Sequence, residues 1–259
     1  MPDLANTIVQ YCKNLKHLSI RVPRRIMIDT SVKKLTELEN LECLTLLGCV
    51  MLRDESIIAI SNNCKKLKQL EIPASCIYDS RFSSSVLDEI SKLQYLEHLN
   101  LFLVMSLKNS TIIAIANNCK YLKSLNIRRS GAINTTAHDA INETALGALT
   151  KLENLQKLDV SFLDITDSFI SKLKGLKEFY CYDCKKLTDD GIIQFIKNNR
   201  DLDMIDVRGI DNITINLVNA ADQATKNRTN GIILHMKISN PSIKEASMSI
   251  IKSQWLVVD

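Results

Sequence analysis

Apolar residues return along this chain in one phrase, Leu-x-x-Leu-x-Leu/Ile, at a near-constant step. Its copies are Leu15-Leu18-Ile20, Leu41-Leu44-Leu46, Leu67-Leu70-Ile72, Leu96-Leu99-Leu101, Leu122-Leu125-Ile127, Leu155-Leu158-Val160, Leu176-Phe179-Cys181 and Leu202-Ile205-Val207, with a weaker ninth at Ile233-Met236-Ile238. Their middle positions lie 26, 26, 29, 26, 33, 21, 26 and 31 residues apart. Residues 56–72 laid over residues 111–127 match at 12 of 17 positions. A period in the range of roughly 20–50 residues marks a stack of similar structural units.

The last three positions of each phrase alternate apolar, polar, apolar, which predicts a short strand with one face inward. Apolar residues at helical spacing follow, as in Ile57-Ile58-Ile60 and Ile192-Ile193-Phe195-Ile196. Asp54, Asp167 and Asp189 stand where these helices begin and are expected to cap them. One strand and one helix cannot bury both apolar faces alone, but stacked units can. The expected fold is therefore an α/β leucine-rich-repeat solenoid, a horseshoe with parallel concave strands and convex helices. It is read as a single domain over residues 1–259, with eight clear repeats, the weak ninth and a C-terminal cap over residues 239–259. In that cap a helix over 243–251 precedes Trp255, expected to plug the open face of the last repeat. The polar stretch 130–142 reads as a surface loop, and the 21-residue step leaves room only for a short helix over 168–173.

Strand register also predicts the exposed concave positions. Eight strands at the usual spacing make an inner arc of roughly 38 Å, the scale of a protein domain rather than a metabolite. Its charged positions balance: Arg21, Arg128, Lys157 and Arg208 against Glu71, Asp159, Glu178 and Asp206. The residues best suited to a protein partner are Phe102, Arg128, Tyr180, Tyr182, Met204, Asp206 and Arg208, because aromatic, Met and Arg side chains are enriched in interfaces. Lys65, Lys66, Lys68, Lys120 and Lys123 fall at the helix-to-strand joins and read as a solvated edge.

Composition narrows the classes. Leu (34) and Ile (31) dominate, while only 7 Gly and 4 Pro occur, which excludes collagen-like and Gly-rich disordered chains. No apolar run reaches the roughly 18 residues of a membrane span, and no secretory signal is visible at the start. The net charge of +4 and pI of 8.5 fall short of a dedicated nucleic-acid binder. Neither a membrane nor a nucleic acid is therefore expected as a partner.

Eight cysteines without a signal peptide read as reduced thiols, in the cytoplasm and/or nucleus. Cys12, Cys64 and Cys119 share one repeat position and are expected to be small buried groups. Cys181-x-x-Cys184 could be half a zinc site or a redox pair, but repeat register places both in the core and no second ligand pair accompanies them. His17, His98, His138 and His235 stand apart, and no metalloprotease, serine-hydrolase or phosphate-loop motif occurs. Catalysis, cofactors and metals are thus not expected.

Three segments carry a family resemblance: Cys64-x-x-Leu67-x-x-Leu70-x-Ile72, Leu41-x-x-Leu44-x-Leu46-x-x-Cys49 and Leu187-Thr188-Asp189-Asp190-Gly191-Ile192. They resemble the cysteine-containing leucine-rich repeats found in F-box/LRR substrate receptors of SCF-type ubiquitin ligases, over residues 2–238. The resemblance implies a protein target on the concave face of a monomer. It also implies a Skp-type adaptor docked on an F-box ahead of the repeats. Here the repeats begin almost at Met1, so that adaptor is expected only if an F-box exists outside this chain. The alternative is a ligase-independent scaffold or competitor that binds partners without recruiting ubiquitination machinery. The pattern departs from the family at Ser75, Val104, Ser130, Leu163 and Ile210, which replace the second Cys, and at Asn199, which replaces the first.

Overall fold

The computed structural model describes residues 2–21, 29–47, 52–73, 82–83, 85–131 and 141–259. Each Leu-x-Leu phrase forms a strand, and within each of two units every strand pairs in parallel with the next in sequence. In the unit Met1–Ile141 these are β1 (His17–Arg21), β2 (Cys43–Leu47), β3 (Gln69–Glu71), β4 (His98–Asn100) and β5 (Ser124–Asn126). In the unit Asn142–Asp259 they are β6 (Lys157–Asp159), β7 (Glu178–Tyr180), β8 (Met204–Asp206), β9 (Leu234–Lys237) and β10 (Leu256–Val258). The division between the units falls within the 33-residue step of the repeat. The stretch 132–140, expected as a loop, lies outside the described residues, as do Cys49, Ser75, Cys76 and His138.

Helices alternate with the strands, so each unit is an α/β leucine-rich-repeat solenoid. The first has α1 (Pro2–Tyr11), α2 (Asp29–Leu35), α3 (Asp54–Asn63) and α4 (Asn109–Asn118), with a 3-10 helix at Val86–Lys92 between β3 and β4. The second has α5 (Glu143–Ala148), α6 (Asp167–Ile170), α7 (Asp189–Asn198), α8 (Ile215–Lys226) and α9 (Pro241–Ile250). Between them the strands and helices close an apolar core. Its strand-centre side chains Leu44, Leu70, Leu99, Leu125, Leu158, Phe179, Ile205 and Met236 are at most 2% exposed. Each such side chain contributes about 1.5–3 kcal/mol by leaving water. The rings of Phe179 and Phe195, from strand and helix of one repeat, meet at 4.6 Å.

The helix-start aspartates act differently from the expected capping. Asp54, Asp167 and Asp189 occupy the first helical position, and the N-cap residues of their helices are Arg53, Thr166 and Thr188. Their carboxylates reach instead to the following repeat. Asp29 accepts from the Arg53 N–H at 3.1 Å, Asp54 from Ser83 N–H at 2.9 Å, Asp167 from Thr188 N–H at 3.0 Å and Asp189 from Thr214 N–H at 2.9 Å. Three of those N–H groups belong to N-cap residues of the next helix, so an acidic side chain at one helix start fixes the start of its neighbour. The contact is tight. A Cβ on Gly191 would lie 2.0 Å from Asp167 Oδ1 and 2.6 Å from Asp167 Cβ, so that position excludes any larger residue without movement.

The cysteines divide by position. Cys64 and Cys119 are fully buried, and their thiols point at carbonyls of the preceding repeat, Thr36 O and Leu93 O. Asn199 holds the same place directly after α7 by the same contact: its Nδ2 donates to Leu173 O at 3.1 Å, while its Oδ1 accepts from Leu176 N–H at 2.9 Å. Cys12 departs from expectation and is exposed. At the other end, residues beyond α9 do more than cap. Trp255 is half-buried, its carbonyl accepts from Leu234 N–H at 2.8 Å, and β10 follows, in register with β9.

Candidate functional site

The strand face of the second unit is built by two devices that recur at fixed repeat positions. The first is an Asx turn at the strand end. Asp159 Oδ1 accepts from Ser161 N–H at 3.0 Å, and Asp206 Oδ1 accepts from Arg208 N–H at 3.2 Å. In the first unit Asn100 and Asn126 do the same for Phe102 and Arg128, at 3.0 and 2.9 Å. The second device is a residue in the left-handed region three positions on: Leu103, Arg129, Phe162, Asp183 and Gly209, with φ of 62°, 51°, 66°, 60° and 73°. This conformation turns the N–H sideways to the neighbouring repeat. Phe162 N–H donates to Tyr182 O, and Asp183 N–H to Arg208 O, both at 2.8 Å. The aromatic and basic residues at the strand ends are thus held by the backbone rather than hung on loose loops.

Neighbouring strands place the expected residues side by side, since Glu178 pairs with Met204 and Tyr180 with Asp206. Lys157 bridges Glu178 at 2.5 Å and lies 5.2 Å from the Tyr180 ring centroid. The Tyr180 hydroxyl donates to Glu178 at 2.7 Å. One position further along, the Arg208 guanidinium stands 5.5 Å from the Tyr182 ring, whose other neighbour is Phe162 at 4.9 Å. Lys185 closes the flank, bound to Asp183, Asp211 and Gly209 O. Tyr180, Tyr182 and Met204 are half-buried and Arg208 is exposed, so the group forms an ordered surface. Beside it an open depression of about 530 Å3 is lined by Glu178, Tyr180, Asp203, Met204, Ile233 and His235.

Electrostatics follow from these contacts. Burial raises the Glu178 carboxyl, but hydrogen bonds from Lys157 and Tyr180 outweigh it and hold the group below the usual carboxylate range. Burial, then the bond to Glu178, pushes the Tyr180 phenol upward, so it remains a donor at neutral pH. Asp203 is raised by burial and by the nearby Glu178 charge.

One expected site residue is placed differently. Asp206 was expected to face outward, but it is only 4% exposed. Arg208 grips its carboxylate through Nε at 2.9 Å and Nη2 at 2.7 Å. Asp159 and Ser161 are buried in the same way, bonded to each other at 2.6 Å. The row that simple alternation points outward is consumed by the turns. In the first unit, Phe102 and Arg128 form a pair of their own, with the guanidinium 5.7 Å from the ring. What sequence reasoning missed was the turn itself, although Asn or Asp at one register position (100, 126, 159 and 206) was its visible mark.

Cys181 and Cys184 are buried free thiols that donate to different carbonyls, Asp206 O at 3.3 Å and Val160 O at 3.4 Å. Among the described residues no group of three or more His, Cys, Asp and Glu side chains could hold a metal ion, and no helix is long and apolar enough to cross a membrane.

No protein family model matches the sequence. Among curated proteins, the Saccharomyces cerevisiae protein named antagonist of mitotic exit network protein 1 is 28% identical over 160 residues, covering 59% of this chain. The chain spans only 28% of the length of that relative. Among solved structures, a chain in the crystal structure of the yeast Rad7 and Elc1 complex aligns with a TM-score of 0.49 at 14% identity, over 99% of this chain and 84% of that one.

Proposed function

We propose that this chain is a protein-recognition module of the cytoplasm or nucleus, acting as a monomer that binds a protein target on the strand face of its second unit. The observation that carries the reading is the ordered set Tyr180, Tyr182, Met204 and Arg208, held at fixed repeat positions by Asp206 and by the left-handed turn residues. Rigid aromatic and Arg side chains give contact area at low entropic cost. Asp206 serves in this reading by aiming Arg208 rather than by touching the partner. Phe102 and Arg128 offer a second, smaller contact in the first unit. Glu178 is tied to Lys157 and Tyr180, and Asp206 to Arg208, so the carboxylates beside the tyrosines serve to order the face, and this favours binding. Free buried thiols suit a reducing compartment.

The finer reading is the substrate-binding part of an F-box-type ubiquitin-ligase receptor. It is supported by the cysteine-containing repeats, whose Cys64, Cys119 and Cys184 occupy core positions. The test is affinity capture from cells with and without proteasome inhibition, comparing wild type with a Tyr180→Ala, Tyr182→Ala variant. A target that accumulates on inhibition and is lost by the variant supports the receptor. A target captured equally by both proteins removes the patch from the account. Binding lost with no effect of inhibition leaves a scaffold in place of a receptor.

A further inference from the structure

The helix-to-strand edge of the first unit presents a second surface of different chemistry. Just before each strand, the register aligns Lys16, Glu42, Lys68, Glu97 and Lys123, joined by backbone bonds of 2.7–2.8 Å from each residue's N–H to the carbonyl of its counterpart one repeat back. Their side chains form an alternating ladder, with Lys16–Glu42 at 2.8 Å, Lys68–Glu42 at 2.7 Å and Lys123–Glu97 at 2.6 Å. The next position out carries Lys13, Glu39, Lys65, Gln94 and Lys120, and the one beyond it Asn14, Asn40, Lys66, Tyr95 and Tyr121, so positive charge outnumbers negative in both. Lys65 donates to Ser61 O at 2.6 Å and Lys66 to Asn40 Oδ1 at 2.7 Å, so their charges meet neutral acceptors. Lys120 donates to Ala116 O at 2.7 Å, the repeat equivalent of Lys65.

At the register position of Lys66, the next two repeats carry Tyr95 and Tyr121. Their rings stack at 6.1 Å with an interplanar angle of 22°, yet the residues are 59% and 56% exposed. The strand-centre side chains of the same repeats, Leu99 and Leu125, are buried in the core. A stacked, solvent-facing tyrosine pair flanked by lysines is a different design, with flat contact area beside positive charge.

We propose that this edge docks an acidic, extended segment of a protein, with the Tyr95–Tyr121 pair as its apolar anchor and Lys65, Lys66 and Lys120 as its charge contacts. Charge complementarity selects the occupant. A phosphate backbone needs a continuous positive track, and Glu42 and Glu97 interrupt the innermost row. Separated carboxylates on a peptide match separated ammonium groups. This surface is independent of the strand-face site and could hold a second region of one target or a second protein.

The probe is a fluorescein-labelled Glu-rich peptide carrying two leucines, followed by anisotropy at about 50 mM and about 300 mM salt, where screening differs strongly. Controls are the same peptide with Gln for Glu and a deoxythymidine oligonucleotide of equal length. The expected result is binding of the Glu peptide that weakens with salt, and no binding of the Gln peptide. Tyr95→Ala with Tyr121→Ala, and separately Lys66→Glu, should each weaken binding about tenfold, the loss of one moderate anchor. All three side chains are exposed, so the thermal melts should stay at the wild-type value. Tyr180→Ala with Tyr182→Ala should leave the peptide affinity unchanged, which separates this edge from the strand-face site. Equal binding of the Gln peptide, wild-type affinity in the edge variants, or tighter binding of the oligonucleotide would overturn the proposal.

Discussion

Single side chains in this protein do their work across repeat boundaries. Asp167 is the clearest case. It accepts from both the N–H and the hydroxyl of Thr188 and needs the empty space at Gly191. Gly191→Ala should therefore cost about 1–3 kcal/mol by crowding a carboxylate that is already bonded. In an Asp167→Gly background, which removes the Cβ at 2.6 Å as well as the carboxylate, the same change should cost less than half as much, because the crowding is gone and helix favours Ala over Gly. Urea melts of the four proteins check this, and additive losses would show that the two residues do not compete for space. The thiols give a second prediction. Burial pushes Cys64 and Cys184 up to about 12 from an ordinary value of 9.0. Burial does the same to Cys119, although the Lys120 charge opposes it. Unfolded thiols ionise first as the solution passes pH 9.0, so the stability these groups hold below that pH should be lost between pH 9.0 and about 12. At pH 8, native labelling read by mass spectrometry should modify exposed Cys12 quickly and spare Cys64, Cys119, Cys181 and Cys184.

At the scale of elements, the strands were legible because burial imposes a two-residue alternation on them, and every strand centre from Leu18 to Ile205 was visible as an apolar position. The turns were not, because their signal is conformational. Leu103, Arg129 and Phe162 adopt positive φ without a glycine to announce it, and only Gly209 has the expected residue type. That turn is testable. Gly209 has a φ of 73°, and a Cβ there would meet the Asp183 backbone at 3.3 Å. Gly209→Ala should lower stability by about 1–2 kcal/mol, the cost of a left-handed residue with a Cβ. It should also weaken binding at the strand face more than a surface change of equal stability cost, since Arg208 is the adjacent residue. Asp206 teaches the same lesson from the site. Alternation placed it outward, but a carboxylate that can hold its own turn and a neighbouring Arg is drawn inward. Cys12 is exposed although the same repeat position buries Cys64 and Cys119.

Across the whole molecule, a repeated unit divides its surface by position in the repeat. Strand ends in the second unit carry the aromatic and Arg group, helix-to-strand joins in the first unit carry the lysines and tyrosines, and the helices present side chains such as Met248 to solvent. The net charge of +4 is therefore not a uniform field, since much of it lies at the joins, while the strand face is largely internally paired. The central claim is that partner recognition belongs to the strand face, and site-specific photo-crosslinking tests it most directly. A benzophenone amino acid is placed at Met204, on β8, or at Met248, which is 84% exposed on α9, and each protein is irradiated in cell extract. The account predicts a discrete protein adduct from position 204, abolished by Tyr180→Ala with Tyr182→Ala, and none from position 248. The same adduct from position 248, with none from position 204, would place recognition on the helices and contradict it.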